Sequence, residues 1–372
     1  MDMLSTTHWE KTGAPGIVTI DLQAIRRNYR RIATLVAPAR ASAVVKADAY
    51  GLGADKVAPA LYDEGCRDFF VAQYHEALDL QPLLPADATL YVLNGLQPGI
   101  EADCARRAIT PVLNSLEQVG RWRSAAQFAG RRLPALLQFD TGMSRLGMSP
   151  EEAEALASDD MLLSGIDIVY IMSHLACADE ADDPHNAAQA EQMRRFSAMF
   201  PGVPVCFGNS AGSFLGETYR GALVRPGLAL YGARPTDMLE RPMEPVLTIE
   251  AAVVQTRTVP AGTSIGYSAT HVTTETRRLA TISLGYADGI LRALSNRGAF
   301  FYENIRLPIV GRVSMDSTII DISDLPEGAL HLGSLVEFIG PHQSLEEVAE
   351  LAGTISWEVL TSIGHRTFRQ YR

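Results

Sequence analysis

The sequence predicts an α/β protein in which an eight-fold βα barrel of the TIM type precedes a mainly β C-terminal domain. Between about residues 41 and 228, short apolar runs rich in branched side chains alternate with longer stretches of helical pattern, which is typical of repeated βα units. After about residue 240, β-branched runs with frequent glycine and proline follow, with few helical patterns between them. A chain of 372 residues is long enough for both domains.

Eight apolar runs supply the strands of the predicted barrel, and Gly, Asp, Asn or Pro follows each of them. They cover residues 41–47, 69–72, 90–93, 110–113, 135–140, 168–174, 203–209 and 222–225. Eight such units in succession imply a closed barrel. We assign residues 1–15 to an N-terminal tail, 16–241 to the barrel and 242–372 to the C-terminal domain. The strand candidate at 17–22 need not belong to the barrel and could pair with the second domain instead.

The second domain contains five predicted strands and one clear helix. The strands cover residues 246–254, 278–284, 305–310, 317–322 and 335–339. The helix begins at Ser344, because a serine followed three residues later by Glu347 forms a capping box ahead of an apolar helical face.

Charge and cysteine content limit the class of partner. The chain has 32 basic and 43 acidic residues, and its net charge of -11 disfavours binding to nucleic acids and anionic membranes. The four cysteines are widely spaced without a CxxC pair, so neither a zinc site nor a disulfide framework is indicated. Residues 1–16 lack the features of a secretory signal, and no apolar run approaches the ~20 residues of a membrane helix. We therefore expect a cytoplasmic protein with a small-molecule substrate, no nucleic-acid or membrane partner and no metal.

Polar side chains follow five of the predicted barrel strands. In a βα barrel, the loops after the strands converge on one open face while the interior is packed, so reactive residues lie where strands end. The residues at these positions are Lys46, Arg145, His174, Asn209, Ser210 and Arg225. We expect all of them on one rim.

Lys46 and two tripeptides together indicate a cofactor. A lysine at a barrel mouth is partly buried and close to cations, which lowers its pKa toward the nucleophilic range that a Schiff base needs. Gly-Asn-Ser at 208–210 and Arg-Pro-Gly at 225–227 follow strands seven and eight, where such barrels commonly bind a phosphate. Either tripeptide alone is more often an ordinary loop, and a lone lysine more often simply reaches solvent. On one rim they point to pyridoxal 5'-phosphate, which needs a lysine, a phosphate cup and a partner for its ring nitrogen.

The segment VVKADAYGLG at residues 44–53 closely resembles the pyridoxal-phosphate attachment motif of the alanine racemase family, which has fold type III. Other segments similar to that family are DTGMSRLG at 140–147, SHLA at 173–176, GNS at 208–210, RPG at 225–227, IGY at 265–267, GYADG at 285–289 and GRVSMD at 311–316. The resemblance runs from about residue 16 to the C-terminus. It implies an isomerase that interconverts L- and D-alanine, either in D-alanine biosynthesis for peptidoglycan or in its degradation.

The resemblance also implies roles for individual residues. Lys46 carries the cofactor as an internal aldimine, and Tyr267 is the second base. Arg225 faces the pyridine nitrogen, His174 orients Arg225, and Arg145 bonds the phenolic oxygen of the cofactor and helps to place the substrate carboxylate. The remaining residues are Tyr50, Ser210, Gly227 and Leu228 on the phosphate, Asn209 in the cofactor-binding set, Met315 in the substrate pocket, and Asp179, Tyr286, Arg292, Arg312 and Ile363 at the substrate entryway. Family members place the counterpart of Tyr267 against the barrel of another chain, so a homodimer with shared active sites is implied.

The chemistry of this set is consistent with racemisation. Proton exchange on both faces of a planar carbanion needs a donor and an acceptor on opposite faces, and Lys46 and Tyr267 fit those two faces. A free tyrosine has a pKa of about 10, so Tyr267 needs nearby positive charge to act near neutrality. Arg225 only donates, so the ring nitrogen that it faces must accept, which makes the cofactor a weaker electron sink and favours simple proton exchange.

Three positions depart from the pattern of many family members. Gln138 stands where many have a carbamylated lysine that positions the counterpart of Arg145, so a neutral amide would have to do that work here. Ser314 replaces a frequent cysteine, and His365 falls where a tyrosine often contacts the phosphate.

Three alternatives to an alanine racemase remain. Residues 208–212 match the G-x-S-x-G nucleophile elbow of serine hydrolases with Ser210 as nucleophile, but that class leaves Lys46 and Arg225 unexplained. A non-catalytic pyridoxal-phosphate carrier has no need of Tyr267 or Met315. A racemase of serine or of broader substrate range is the third, since the sequence shows α-proton exchange far better than it shows the side chain accepted.

Overall fold

The computed structural model describes residues 12–239 and 241–372. The chain divides into two compact units, one made of Ala24–Glu244 and the other of the described residues up to Gln23 together with Pro245–Arg372. The strands are β1 (Gly16–Ile20), β2 (Arg40–Ala41), β3 (Ala43–Val44), β4 (Asp68–Val71), β5 (Thr89–Val92), β6 (Thr110–Leu113), β7 (Leu133–Gln138), β8 (Ile166–Met172), β9 (Val205–Asn209), β10 (Leu223–Arg225), β11 (Leu247–Val259), β12 (Ser264–Ile265), β13 (His271–Val272), β14 (Arg277–Ile282), β15 (Ala299–Tyr302), β16 (Ile305–Pro308), β17 (Thr318–Asp321), β18 (Leu335–Ile339) and β19 (Phe368–Tyr371).

The α-helices of the described chain complete the secondary structure. They are α1 (Leu22–Val36), α2 (Lys46–Gly51), α3 (Ala54–Asp63), α4 (Tyr74–Leu80), α5 (Glu101–Arg107), α6 (Leu116–Ala129), α7 (Pro150–Ser158), α8 (Pro184–Met199), α9 (Leu345–Ala352) and α10 (Ser356–Thr361). None of these helices is long and apolar enough to cross a membrane.

The unit Ala24–Glu244 contains a closed parallel barrel. Its sheet runs in the order β2-β10-β9-β8-β7-β6-β5-β4-β3. β2 and β3 are two pieces of one strand on either side of Ser42, so this strand pairs with β10 on one side and with β4 on the other. The Ser42 N–H donates to the Val224 carbonyl at 3.0 Å and the Val45 N–H to the Phe70 carbonyl at 2.9 Å. The predicted eight-fold barrel is confirmed.

Buried side chains on both faces explain why these short runs form barrel strands. All four residues of β4 and of β6 are buried, as expected for parallel strands with side chains filling the barrel on one face and helices covering the other. The outer helices are amphipathic: α1 buries Ala24, Ile25, Ile32 and Val36, which recur at helical spacing. Because the strands are parallel, their C-terminal ends share one face of the barrel, where the predicted site residues lie.

The other unit is mainly β, also as predicted. Its sheet has the order β16-β15-β18-β11-β1-β19, and β14 joins β11 to β17. Within it, β1 is antiparallel to β11, with Gly16 opposite Ala251 and Ile20 opposite Leu247, and parallel to β19. A Cβ on Gly16 would lie 2.3 Å from the Glu250 carbonyl oxygen, so this close strand contact requires glycine. The strand candidate at 17–22 thus pairs in the sheet of the C-terminal unit, which is the alternative that the sequence left open for it.

The predicted helix at Ser344 is confirmed with its capping box. The Ser344 hydroxyl accepts the Glu347 N–H at 3.2 Å, and the Glu347 carboxylate accepts the Ser344 N–H at 2.6 Å. The sequence pattern did not predict α10, β15 or β19.

Candidate active site

Lys46 follows the first barrel strand and is itself followed by a left-handed turn. Residues 47–50 have φ angles between 51° and 57°, a region that residues other than glycine rarely adopt. The Ala47 N–H donates to Glu76 Oε1 at 2.5 Å, and the other carboxylate oxygen of Glu76 accepts the N–H groups of Ala72 and Gln73. A run of residues with positive φ angles persists only where surrounding contacts stabilise it, and the Glu76 carboxylate makes one of these contacts.

The Lys46 amine lies among cations. It makes no hydrogen bond or ion pair with any residue that the structure describes. Burial lowers the pKa of Lys46, the charges of Arg145 and Arg225 lower it further, and the Glu76 carboxylate raises it. A lowered pKa increases the fraction of neutral amine, which is the nucleophilic and basic form.

Tyr50, Ser210 and Gly227 form a cup beside Lys46. A methyl group on Gly227 would lie 2.5 Å from the Tyr50 hydroxyl, so the close approach of the Tyr50 side chain to the main chain at residue 227 requires glycine. Ser210 Oγ accepts the N–H of Gly227 at 2.9 Å and that of Ala229 at 3.3 Å. The Tyr50 side chain is buried, yet its hydroxyl has no hydrogen-bond partner within residues 12–239 and 241–372. Hydroxyls and main-chain N–H groups at the start of a short helical turn are the donors that a phosphate prefers.

Arg225 is a buried cation that two main-chain carbonyls fix in place. One terminal nitrogen donates to the Cys206 carbonyl at 2.8 Å and to Cys206 Sγ at 3.1 Å, and the other donates to the Ser173 carbonyl at 2.6 Å. Its Nε–H has no partner among the described residues. The guanidinium is therefore oriented with one donor free for a ligand acceptor.

His174 is neutral and lies next to Arg225. Burial lowers the pKa of His174 to about 3, and the charges of Arg225, Arg145 and Lys46 contribute to the decrease. Its Nδ1 lies 3.5 Å from a terminal nitrogen of Arg225, and it must accept because arginine only donates. This contact is long, so the main-chain carbonyls of Ser173 and Cys206 hold Arg225 more strongly than His174 does.

Arg145 projects from a compact loop after β7. Asp140 Oδ1 accepts the N–H groups of Gly142, Met143 and Ser144 at 2.8, 2.9 and 3.1 Å, which closes the loop on itself. Arg145 is exposed and makes no hydrogen bond or ion pair with any described residue. Its position therefore derives from the main chain of the loop.

Gln138, the first departure from the family pattern, does not contact the Arg145 guanidinium through a hydrogen bond. Its buried amide donates to the Leu146 carbonyl at 3.4 Å. The neutral amide thus reaches the main chain next to Arg145.

Asn209 and Ser210 occupy the end of β9. The Asn209 amide donates to the Leu175 carbonyl at 3.3 Å and accepts the Gly212 N–H at 2.8 Å, so it joins two loops of the rim. Ser210 forms no hydrogen bond with a histidine in the described chain, and its hydroxyl instead accepts N–H groups of the cup. The structure therefore lacks the serine-histidine pair that a serine hydrolase needs.

The remaining predicted residues, apart from Asp179, belong to the C-terminal unit. Tyr267 is 70% exposed and begins a short helical turn, Tyr267–Ala269, after Gly266 with a φ angle of 68°. Arg312 donates to the Ser268 hydroxyl at 2.7 Å, so a cation lies beside this turn.

Met315 and Tyr286 lie on two loops that pack main chain against main chain. The Tyr286 N–H donates to the Ser314 carbonyl and the Ala287 N–H to the Met315 carbonyl, both at 3.0 Å. A Cβ on Gly285 would lie 2.4 Å from the Met315 carbonyl oxygen. The glycine of the GYADG segment is thus required for this contact.

The other predicted entryway positions make fewer polar contacts. The Asp179 carbonyl accepts the Thr236 hydroxyl at 3.1 Å, and the Arg292 carbonyl accepts the Ser295 hydroxyl at 2.6 Å. Ile363 is buried, and His365 is exposed.

Sequence analysis missed three residues that hold the loops of the candidate site in place, namely Arg366, Glu76 and Gln189. Arg366 donates to both carboxylate oxygens of buried Asp288 at 2.8 Å and to Asp316 at 2.6 Å, which joins the ends of two motifs. Glu76 and Gln189 lie on α4 and α8, two helices of the barrel unit. Only Glu76 had a sequence signal, because it is the third residue of α4 and completes a capping box with Gln73.

This arrangement fits pyridoxal phosphate on the chemistry of its donors. Lys46 supplies an amine of lowered pKa, the Tyr50, Ser210 and Gly227 cup supplies phosphate donors, and the Arg225 Nε–H is free for a ring nitrogen. A βα barrel with these residues at its mouth defines the class of barrel proteins that hold this cofactor on a lysine.

Comparisons with known proteins identify the family. The profile described as "Alanine racemase, N-terminal domain" matches residues 20–235, and "Alanine racemase, C-terminal domain" matches residues 246–371. A catabolic alanine racemase of Rhizobium johnstonii is 58% identical over 360 residues, covering 97% of this chain and 96% of the relative. An alanine racemase of Brucella suis is 55% identical, covering 96% and 94%. The chain belongs to the alanine racemase family.

A solved structure supports the same assignment. The crystal structure of alanine racemase from Bartonella henselae, with covalently bound pyridoxal phosphate, has a TM-score of 0.93 and 45% sequence identity to this chain. The match covers 96% of this chain and 100% of that one. Both the barrel and the mainly β unit are thus those of an alanine racemase.

Proposed function

We propose that this chain racemises alanine by exchanging the α-proton between two bases, Lys46 and Tyr267, with pyridoxal phosphate as cofactor. The observation that carries the proposal is the buried Lys46 amine, whose pKa Arg145 and Arg225 help to lower and which has no ionic partner in the described chain. When bound, the cofactor withdraws electrons from the α-carbon and so makes its proton acidic.

The barrel residues bind and orient the cofactor. Lys46 would attach it, Tyr50, Ser210, Gly227 and Leu228 would hold its phosphate, and the Arg225 Nε–H would donate to its ring nitrogen. The carbonyls that hold Arg225 keep this donor directed. Arg145, which has no anion of its own among the described residues, is available for the substrate carboxylate.

Lys46 Nζ and Tyr267 Oη exchange protons with the α-carbon of the substrate from opposite faces. One base removes the α-proton of one enantiomer and keeps it, while the other base donates its own proton on the opposite face to form the mirror image. In the reverse direction the two bases exchange these roles. Arg312 donates to the Ser268 hydroxyl and so places positive charge beside the Tyr267 turn.

We further propose that Tyr267 acts in a site shared between two copies of the chain. The exposure of Tyr267, Tyr286 and Met315 supports this, since all three are more than 40% exposed in one chain. Large apolar side chains that solvent reaches in this way are typical of surfaces that a partner covers. Membership of the family supports the same arrangement.

The first experiment measures the visible absorption spectrum and the turnover of L- and D-alanine, with chiral analysis of the product. It compares the wild type with Lys46→Ala and Tyr267→Phe. We expect the bound-cofactor band to disappear in Lys46→Ala, and racemisation to fall about 100-fold or more in Tyr267→Phe, more in one direction than in the other. A colourless active wild type, or a coloured one without racemisation, would contradict the proposal.

A mixing experiment tests the shared site. When Lys46→Ala and Tyr267→Phe chains are unfolded, mixed and refolded, a heterodimer contains one site with both bases intact. Activity should then return to about a quarter of the wild-type value, because half the dimers are mixed and each has one working site. If each chain builds its site alone, mixing restores nothing.

A further inference from the structure

Gln189 is a fully buried glutamine on α8 whose amide bridges two loops of the barrel rim. Its Nε2 donates to the Thr141 hydroxyl and to the His174 carbonyl, both at 2.9 Å, and its Oε1 accepts the Ala176 N–H at 2.8 Å. The Thr141 hydroxyl also lies 2.8 Å from that of Ser173. One amide thus ties the loop after β7 to the loop after β8, and its three hydrogen bonds leave it fully satisfied.

The loop after β7 needs such a tie because the Arg145 side chain has no polar partner in the described part of the chain. Asp140 makes residues 140–144 a compact unit, so fixing Thr141 fixes the main chain that carries Arg145. Gln138 adds only a 3.4 Å hydrogen bond to the Leu146 carbonyl. His185, also on α8, bonds the Gly142 carbonyl at 2.8 Å and provides a second tie.

The loop after β8 carries His174 and follows the Ser173 carbonyl, both of which contact Arg225. Gln189 holds the His174 carbonyl and the Ala176 N–H on either side of Leu175. The preceding Ser173 carbonyl accepts from Arg225 at 2.6 Å. A shift of this segment would therefore change the orientation of Arg225.

We propose that Gln189 is a positioning residue that sets the placement of Arg145 relative to the His174 and Arg225 pair. It takes the role that a direct anionic partner of Arg145 would otherwise have. The inference rests on the proposed function, since it concerns the arginine that would bind the substrate carboxylate. It predicts that loss of the Gln189 amide weakens carboxylate binding through Arg145.

The test compares Gln189→Met with Gln192→Met in the full-length holoenzyme. Gln192 lies three residues further along α8, and its side chain makes no hydrogen bond with a described residue, so it is a matched control. The probe is propionate, a carboxylate without an amine, whose binding is followed by the cofactor absorbance, and the KM and kcat for L-alanine are measured in parallel. We expect Gln189→Met to raise the Kd of propionate and the KM about tenfold or more, with a smaller change in kcat, and Gln192→Met to stay within about twofold of wild type.

Two further variants keep the result interpretable. Thr141→Val removes the hydroxyl that accepts from the Gln189 amide, together with its hydrogen bond to Ser173, and should also raise the Kd of propionate. This variant provides the test if Gln189→Met does not fold. In an Arg145→Ala background, Gln189→Met should have no further effect on propionate, because the residue acts through Arg145. Unchanged propionate binding in Gln189→Met, or an undiminished effect without Arg145, overturns the inference. A wild type that fails to racemise alanine instead overturns the proposed function.

Discussion

The Glu76 carboxylate accepts the main-chain N–H of Ala47, one residue after Lys46, at 2.5 Å. Its other oxygen accepts the N–H groups of Ala72 and Gln73 at 2.8 and 2.7 Å. One acidic side chain thus joins the left-handed turn after the first barrel strand to the start of α4. It is also the negative charge that raises the pKa of Lys46 against the effect of burial and of the arginines.

Glu76→Gln should lower the pKa of Lys46 further, because the substitution removes the negative charge and keeps one oxygen acceptor. We expect the pH midpoint for capture of pyridoxal phosphate by the apoprotein to move to lower pH. Stopped-flow absorbance between pH 6 and 10 measures it. Glu117→Gln, which changes a glutamate in the first turn of α6, is the control. A midpoint that stays in place would show that Glu76 does not influence the amine.

Gly227→Ala should weaken cofactor binding, because the added methyl group would lie 2.5 Å from the Tyr50 hydroxyl. We expect the Kd for pyridoxal phosphate to rise about 10- to 100-fold, equivalent to roughly 1.4 to 2.7 kcal/mol. Equilibrium dialysis measures this directly. Gly120→Ala is the matched control, since a Cβ on Gly120 in α6 meets nothing within 4 Å. Equal affinities of the two variants would mean that the cup tolerates the methyl group.

His174 makes stability depend on pH. Its folded pKa of about 3 lies below the unfolded value of 6.5, so the unfolded chain takes up a proton below about pH 6.5 while the folded chain does not. Stability is therefore full above this value and falls as the pH decreases toward 3, at up to about 1.4 kcal/mol per pH unit. Urea unfolding between pH 5 and 7.5 checks this, and His174→Gln should flatten the slope by about one proton. An unchanged slope would show that His174 ionises normally in the folded protein.

Arg366→Gln should loosen the Tyr286 and Met315 loops, because Arg366 joins buried Asp288 to Asp316. Removing one partner of a buried carboxylate leaves that charge uncompensated. We expect the midpoint of thermal unfolding to fall by about 5 °C and the KM for alanine to rise more than kcat falls. Calorimetry and steady-state kinetics measure the two effects. Arg306→Gln, at the exposed position of β16, should change neither, and a response equal to that of Arg366→Gln would contradict the role of the ion pairs.

The sequence could predict candidate residues for the rim because the ends of strands are marked by local patterns. Lys46 and Arg225 lie at or near the ends of apolar strands, and in a parallel barrel these ends share one face. The helix at Ser344 was equally local, since its capping box lies within four residues.

The residues that hold the rim in place were not predictable in this way. Gln189 lies in the middle of α8, where a buried glutamine has no local signal, and it contacts loops 13 to 48 positions away in sequence. β19 has the sequence FRQY with all four residues half-buried, so neither alternation nor an apolar run marks it as a strand. Contacts with residues distant in sequence determine both the hydrogen bonds of Gln189 and the strand conformation of β19.

The pairing of β1 with β11 and β19 affects the order in which the two units can fold during synthesis. The segment Gly16–Ile20 leaves the ribosome first, yet its neighbours are Leu247–Val259 and Phe368–Tyr371. The barrel segment lies entirely between them and can fold while the rest is still being translated. The first strand can pair along one edge once β11 has emerged, but its other edge stays open until β19 is made, so a nascent chain truncated before residue 368 exposes that edge.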